Sequence, residues 1–499
     1  MTADAGGSPS PPASPPAGFS PVLTRAILVT TVGSFMAFLD STIVNVALES
    51  LTVELDASLA TIQWVITAYL LAMAAVIPVS GWAANRFGAR RTYAAGLLLF
   101  TVASLACGLA DSTGMLIAAR AAQGVGGGLL MPVGTMITMR ASRPDQMAKV
   151  MAVTGVPTIM APIIGPTIGG LLLDHASWPW IFYINLPIGL ITLLLTLRML
   201  EPDQPTDAGP LDVAGVVLIT GGSVAITYGL AQIGAEGEAG SPLVIWSIVA
   251  GAVLLVGFVL QQLRARKPLM DIRLYKSPVY GAASITNFCL GAAVFGAIIL
   301  MPLYFQIVRQ EDAVSTGLLL IPQGVGVAVA MFAGAKLTDK LGSGKATLLG
   351  GAISIVGTVP FTFIDADTSY WFLGAMMVVR GFGVGACAIP AVTAAYRAIS
   401  PMKIPDATVQ INVGQRIGGS AGTAIFAVVL QNQLDGAADP AAQASGFGVA
   451  FWWVVAIAVG CTAPALLLTA AERRAARQAA PAGPPAGAPP KADAAESAS

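Results

Sequence analysis

Apolar runs of about 20 residues, parted by short polar turns, recur along the whole chain, and a helix of that length spans the ~30 Å hydrocarbon core of a bilayer. Fourteen can be laid out, at roughly 23–48, 61–83, 92–110, 114–139, 148–172, 180–200, 211–232, 243–263, 278–307, 313–335, 345–364, 369–397, 406–431 and 446–470. The pattern predicts an all-α integral membrane protein whose connections leave no room for a separate soluble domain. Residues 1–21 carry neither a basic stretch nor an apolar one and read as a disordered tail without a cleavable signal; the Ala- and Pro-rich 471–499 reads the same way.

Composition strengthens this picture. The 499 residues are 55% hydrophobic and 10% charged, where soluble domains carry about 25% charged residues. A net charge of zero gives no pull toward nucleic acid. The cysteines, Cys107, Cys289, Cys387 and Cys461, stand far apart inside apolar runs, as packing residues do. With one histidine, His175, neither a metal cluster nor a Ser-His-Asp triad can be assembled. LGSGKAT (341–347) lacks the glycine and hydroxyl of a phosphate loop, and GFGVGA (381–386) lies inside an apolar run with no strand before it. No cofactor, metal, nucleic acid or obligate protein partner is expected, and no enzyme.

Basic residues orient the chain. With both termini in the cytoplasm of a cell-membrane protein, 22 of the 26 Lys and Arg fall on the inside, three lie within spans, and only Arg309 falls outside. Segments after spans 2 and 10 repeat, GWAANRFGARR (81–91) and AKLTDKLGSGK (335–345). So do RAAQGVGGG (120–128) and RGFGVGA (380–386), with Arg380 in the place of Gln123, and GPTIGG (165–170) and GGSAG (418–422). Two six-helix bundles, 22–200 and 264–470, are therefore expected around two inserted helices in 201–263.

The charge that needs explaining is Asp40, in FMAFLDSTIVNVALES (35–50), the one acid deep inside a span. A central acid costs about 2.5–3.5 kcal/mol on insertion scales. Burial disfavours a charged carboxylate and a nearby cation favours it, so a group held between the two can take up a proton in one conformation and release it in another. As an alternative, the acid simply hydrogen-bonds a neighbouring helix. Arg120, some six residues inside the fourth span, is either a partner that tunes Asp40 or a cation snorkelling to the interface. Gly155, Gly165, Gly169 and Gly170 would let another helix approach closely, while Pro166 bends the axis. Polar side chains placed to face a central cavity are Gln63, Trp64, Tyr69 and Asn185 in the first half and Asn287, Gln323 and Asn412 in the second, though each could equally bond helix to helix.

In LDSTIVNVALE (39–49), QWVITAYLL (63–71), GWAANRFGARR, LIAARAAQGVGGG (116–128), APIIGPTIGG (161–170) and DHASWPWIFYINLPIG (174–189), the sequence resembles the fourteen-span, EmrB/QacA-like drug:proton antiporters of the major facilitator superfamily, over roughly 23–470. The resemblance implies the major facilitator fold, proton coupling through Asp40 with Arg120, and an exporter motif at Gly155, Gly165, Pro166, Gly169 and Gly170. It also implies a cytoplasmic gate at Gly81, Asn85, Arg86, Gly88 and Arg90, repeated at Asp339, Lys340 and Gly342. Three positions depart from the family pattern: Asn85 replaces the gate acid, Glu49 replaces a proline, and Pro179 removes an external arginine. The first departure predicts a first-half gate without its charge.

The expected function is export of small lipophilic or amphipathic compounds by alternating access, exchanged for protons, with membrane lipid as the only other partner. A proton-coupled nutrient importer is the alternative within transport, and a membrane enzyme or receptor-like protein the alternative outside it. Because no span but the first offers a carboxylate deep inside it, neutral, zwitterionic or monocationic substrates are expected and dications disfavoured.

Overall fold

The computed structural model describes residues 18–203, 209–236, 240–265, 268–297, 299–434 and 439–479; the rest of both tails lies outside it. The described residues are helical, joined by short turns. The long helices of the first half are α1 (Pro21–Ile43), α2 (Leu59–Phe87), α3 (Ala89–Gly108), α4 (Thr113–Ala141), α5 (Met147–His175) and α6 (Asn185–Met199). Then come α7 (Val213–Glu236) and α8 (Pro242–Arg264). The second half has α9 (Pro278–Ala297), α10 (Ala313–Leu341), α11 (Ser343–Thr358), α12 (Tyr370–Arg397), α13 (Ile404–Leu434), α14 (Pro440–Gly460) and α15 (Thr462–Ala479). Among the described residues, 12 helical stretches are long and apolar enough to cross a membrane. The helices α5 and α9 stand apart from that set, α9 with the shorter apolar run Pro278–Val294. Helix α15 carries the chain past residue 470, where the last apolar run ends, because AAERRAARQA is made of strong helix formers.

Local chemistry sets the helix ends. Ser20 caps α1 through Leu23 N, with Pro21 in the first turn, and Asp312 caps α10 through Ser315 N at 2.6 Å. Between α2 and α3 the chain turns at Gly88, φ +90°, and between α10 and α11 at Gly342, φ +82°, a region that side chains other than glycine rarely enter.

The glycines of α4 and α12 show the repeat in three dimensions. A Cβ on Gly124 or Gly128 would strike the α2 backbone at Tyr69 or Met73, and one on Gly126 would strike Phe100 of α3. In the second half a Cβ on Gly381 would strike Gln323 of α10, one on Gly385 would meet Ala330 of the same helix, and one on Gly383 would strike Ser354 of α11. Each half thus clamps its fourth helix between its second and third by alternate glycines, which is how membrane helices gain dispersion contact where no hydrophobic drive exists. Gly165 and Gly169 seat α5 on Thr42 and Ile43 of α1; Gly418 and Gly422 seat α13 on Phe288 and Ala292 of α9.

Among the described residues, the buried clusters shared by the two halves lie toward one end. Around the N-terminus of α1, Leu23, Ile27 and Met139 share a buried cluster with Tyr280, Tyr396 and Leu468, and Gly155 of α5 lies against Met331 of α10. This end carries the basic turns after α2, α4, α10 and α12. At the opposite, acidic end each half keeps a cluster to itself, one around Ile43, Leu51, Leu116 and Phe182, the other around Tyr304, Phe361, Phe447 and Phe451. Among the described residues the halves are closed together at the basic end and parted, each with its own cluster, at the acidic end.

The two inserted helices sit on one side. Glycines hold them together, Gly222 against Leu255 and Gly251 against Ile226. Helix α7 packs on both α13 and α2, and Thr220 donates to Ala75 O of α2 at 2.9 Å. Outside it, α8 turns Trp246, Val253 and Val256 outward, 59–70% exposed, as a lipid-facing helix would.

Candidate functional site

Asp40 is fully buried at the centre of the first bundle. Its Oδ2 accepts from Arg120 Nη1 at 2.7 Å, and its Oδ1 accepts from both Gln123 Nε2 and Asn185 Nδ2 at 2.8 Å. Arg120 Nη1 also donates to Gln123 Oε1 at 2.8 Å and its Nε to the Val65 carbonyl at 3.2 Å. Ser104 Oγ accepts from Gln123 and Asn185, both at 3.1 Å. The Tyr69 ring lies against the guanidinium, 4.1 Å from Cζ to centroid, and its hydroxyl donates to the Ala37 carbonyl. Five helices, α1, α2, α3, α4 and α6, each place one or two side chains here. Such a cage satisfies both charges while they face each other and leaves Arg120 uncompensated the moment Asp40 is protonated. Arg120 therefore points into the bundle and not toward the outer interface.

A cavity of about 590 Å³ lies beside this network, between the two halves. Phe38 and Ser41 of α1 line it, so the wall residue Ser41 is Asp40's neighbour in sequence while Asp40 faces the other way. Leu70 and Met73 of α2, Met131 of α4, and Thr227 and Leu230 of α7 complete an apolar side. The facing side is polar and comes from α13 through Asn412, Gln415, Arg416, Ser420 and Thr423. Of the seven side chains placed by sequence toward a cavity, Asn412 lines this one. Tyr69 and Asn185 belong to the buried network instead, because their faces of α2 and α6 turn into the bundle. Gln63 is exposed, and Trp64 stacks on Tyr228 of α7 at 6.4 Å. Asn287 is buried and donates to Ala283 O, and Gln323 accepts from the buried Arg380 at 3.0 Å. The Gly155, Gly165 and Gly169 positions are close helix contacts, Gly170 has nothing near it, and the Pro166 side chain lies outside those described.

At the basic end, Asn85 accepts from Arg140 Nη2 at 2.7 Å. The missing charge is not missing from the place: Asp203, just beyond α6, lies 3.7 Å from Arg140 and accepts from the Ala89 and Arg90 amides at the start of α3. The first-half turn is thus charged after all, by a residue from outside the motif. The second half repeats the device, with Glu472 of α15 accepting from Gly344 N at 2.8 Å at the start of α11, and Asp339 pairing with Arg397 at 3.4 Å. Arg397 also donates to Pro144 O across the halves, and Gly81 packs on Val409 and Pro405. Arg90 holds the end of α6 through the Thr196 and Leu197 carbonyls, whereas Arg86 and Lys340 are exposed. Asp271, in the turn before α9, is disfavoured as an anion by its burial, yet hydrogen bonds from Lys403 Nζ and the Arg273 amide outweigh that and hold its carboxyl below the usual range.

Asp203→Ala should therefore cost about 1 kcal/mol or more through the lost helix cap, and it should loosen the closed basic end. Cysteine labelling at residues 139 and 147 would read this as faster modification; rates equal to those of the parent would show that Asp203 holds nothing shut.

The family model described as Major Facilitator Superfamily matches residues 30–423. The multidrug resistance protein B homolog of Mycobacterium tuberculosis is 34% identical over 416 residues, 83% of this chain and 77% of that one. The puromycin resistance protein pur8 of Streptomyces alboniger is 32% identical over 89% of each chain. The lincomycin resistance protein LmrB of Listeria monocytogenes is 30% identical over 82% of this chain and 86% of its own. Among solved structures, the human organic anion transporter MFSD10 (TETRAN) superposes with a TM-score of 0.62 at 14% identity, covering 87% of this chain and 99% of that chain, a likeness of fold.

Proposed function

The chain belongs to the Major Facilitator Superfamily, and from that premise we propose that it is a proton-coupled antiporter exporting small lipophilic or amphipathic compounds, one of the fourteen-span branch. In this reading α5 and α9 join the 12 apolar stretches to make fourteen crossings. The basic end and both termini face the cytoplasm, and the conformation described is the outward-facing one. Resistance transporters at about one-third identity support an export role.

One observation carries the proposal: the only carboxylate buried in a span among the described residues is ion-paired one residue away from the wall of the central cavity. Protonating Asp40 from the parted end cancels the charge that Arg120, Gln123 and Asn185 are arranged around. The network must then rearrange, and because α1 carries both Asp40 and Ser41, the rearrangement is felt in the cavity. Asp40 and Arg120 are the coupling residues, and the turns at Gly88 and Gly342 with their capping acids form the gate.

The test is transport in inside-out vesicles with an acidified lumen. Accumulation of a lipophilic dye in the lumen, collapsed by a protonophore, is expected. Depletion would make the protein an importer, and indifference to the pH gradient would remove the proton from the mechanism.

A further inference from the structure

The central cavity has one ionisable side chain among its described lining residues, and it is a cation. Arg416, midway along α13, is half-buried and donates from Nη2 to Met73 Sδ at 2.7 Å. A thioether sulfur is a weak acceptor. Among the described residues no carboxylate stands within ion-pair distance of Arg416, and the neighbouring acid, Asp40, is turned away and taken by Arg120, Gln123 and Asn185. A guanidinium stays charged at any physiological pH. Half out of water, with only a weak acceptor beside it, the guanidinium is a place where an entering anion would find an uncompensated charge.

The rest of the cavity fits such a ligand. Positions 412, 416, 420 and 423 form one polar stripe along α13, with Arg416 in its middle, and Phe38, Leu70 and Met131 face it from the first half. An amphipathic molecule would lay its apolar body on the one side and present its head to the other. We propose that Arg416 anchors a carboxylate, or an equally acidic oxygen, so that the substrates are amphipathic organic acids, zwitterions that carry such a group included. This rests on the transport reading above and narrows its substrate class; it departs from the sequence-based expectation, which counted acids in the spans and gave no weight to a cation among them.

The experiment is equilibrium binding to the purified full-length protein in nanodiscs, with pyrenebutyrate, its methyl ester and pyrenebutylamine as probes. The acid is expected to bind at least about tenfold tighter than the ester, the worth of one charge-assisted contact. Arg416→Gln should erase that preference, and Arg416→Lys should keep part of it. Equal binding of acid and ester by the parent protein, tightest binding of the amine, no binding of the acid, or a preference that survives Arg416→Gln would each overturn the assignment. Should the Gln variant fail to fold, the acid-to-ester ratio of the parent and of the Lys variant decides the matter. Binding needs no gradient, so a protein that discriminates the acid but never moves it uphill would sink the antiport reading alone. Proton-driven efflux of the ester without preference for the acid would sink only the anchor.

Discussion

Proteoliposomes carrying Asp40→Asn are expected to equilibrate substrate across the membrane without concentrating it, whatever pH gradient is imposed. The carboxylate accepts from three donors, Arg120, Gln123 and Asn185. An amide has one acceptor oxygen, and its own NH₂ would face a donor. Arg120 is then left buried without its counter-ion, which typically costs about 3–5 kcal/mol, so the variant should also melt well below the parent. The double variant Asp40→Asn with Arg120→Gln removes both charges and should recover much of the stability. It should not recover uphill transport, because no carboxylate remains in the cage. Concentrative efflux by either variant would show that the proton travels elsewhere.

The second large effect concerns driving force. Exchanging one inward proton for one outward monoanion moves two charges down an inside-negative potential. At about 2.3 kcal/mol per charge per 100 mV and about 1.4 kcal/mol per pH unit, the total is about 6 kcal/mol, or a limiting gradient of roughly 20,000-fold. The same arithmetic allows a neutral molecule roughly 500-fold and a monocation, whose exchange is electrically silent, about tenfold. Pyrenebutyrate gradients in proteoliposomes should therefore fall steeply when valinomycin and potassium clamp the potential at zero, leaving only the pH component. An acid gradient indifferent to the clamp would mean that no net charge crosses, which rules out exchange of a proton for either the anion or the neutral acid.

Much of this architecture was open to reading from sequence, and the reasons differ from residue to residue. Asp40 and Arg120 stood out because charge is rare within apolar runs, and each turned out to be the other's partner. The glycine clamps of α4 and α12 were visible as repeated Gly-x-Gly, although which helix each glycine met was not. Gln123 and Ser104 gave no signal, since a lone amide or hydroxyl in a membrane helix is common and only the approach of α1 brings them to a carboxylate. Asp203 lies just beyond the last helix of the first half and Glu472 within the last helix of the second, and each caps its half's third helix. Their equivalence appears only when the two halves are superposed, because LEPDQP and AAERRA share no motif. For Arg416 the signal was present: Asn412, Arg416, Ser420 and Thr423 recur at helical spacing on one face of α13, with the charge in the middle of an apolar run.

Helix α7 touches both halves, but only on the side where α2 and α13 run together. Closing the parted end and opening the other must either peel α7 from one half or pivot about it. In the second case that flank behaves like the spine of a book, and the widest gap opens at the fore-edge, between α5 and α10. A bilayer-dissolved molecule would then find its way in from one side of the protein and not from the other, so the inserted pair would give an otherwise two-fold machine a front and a back.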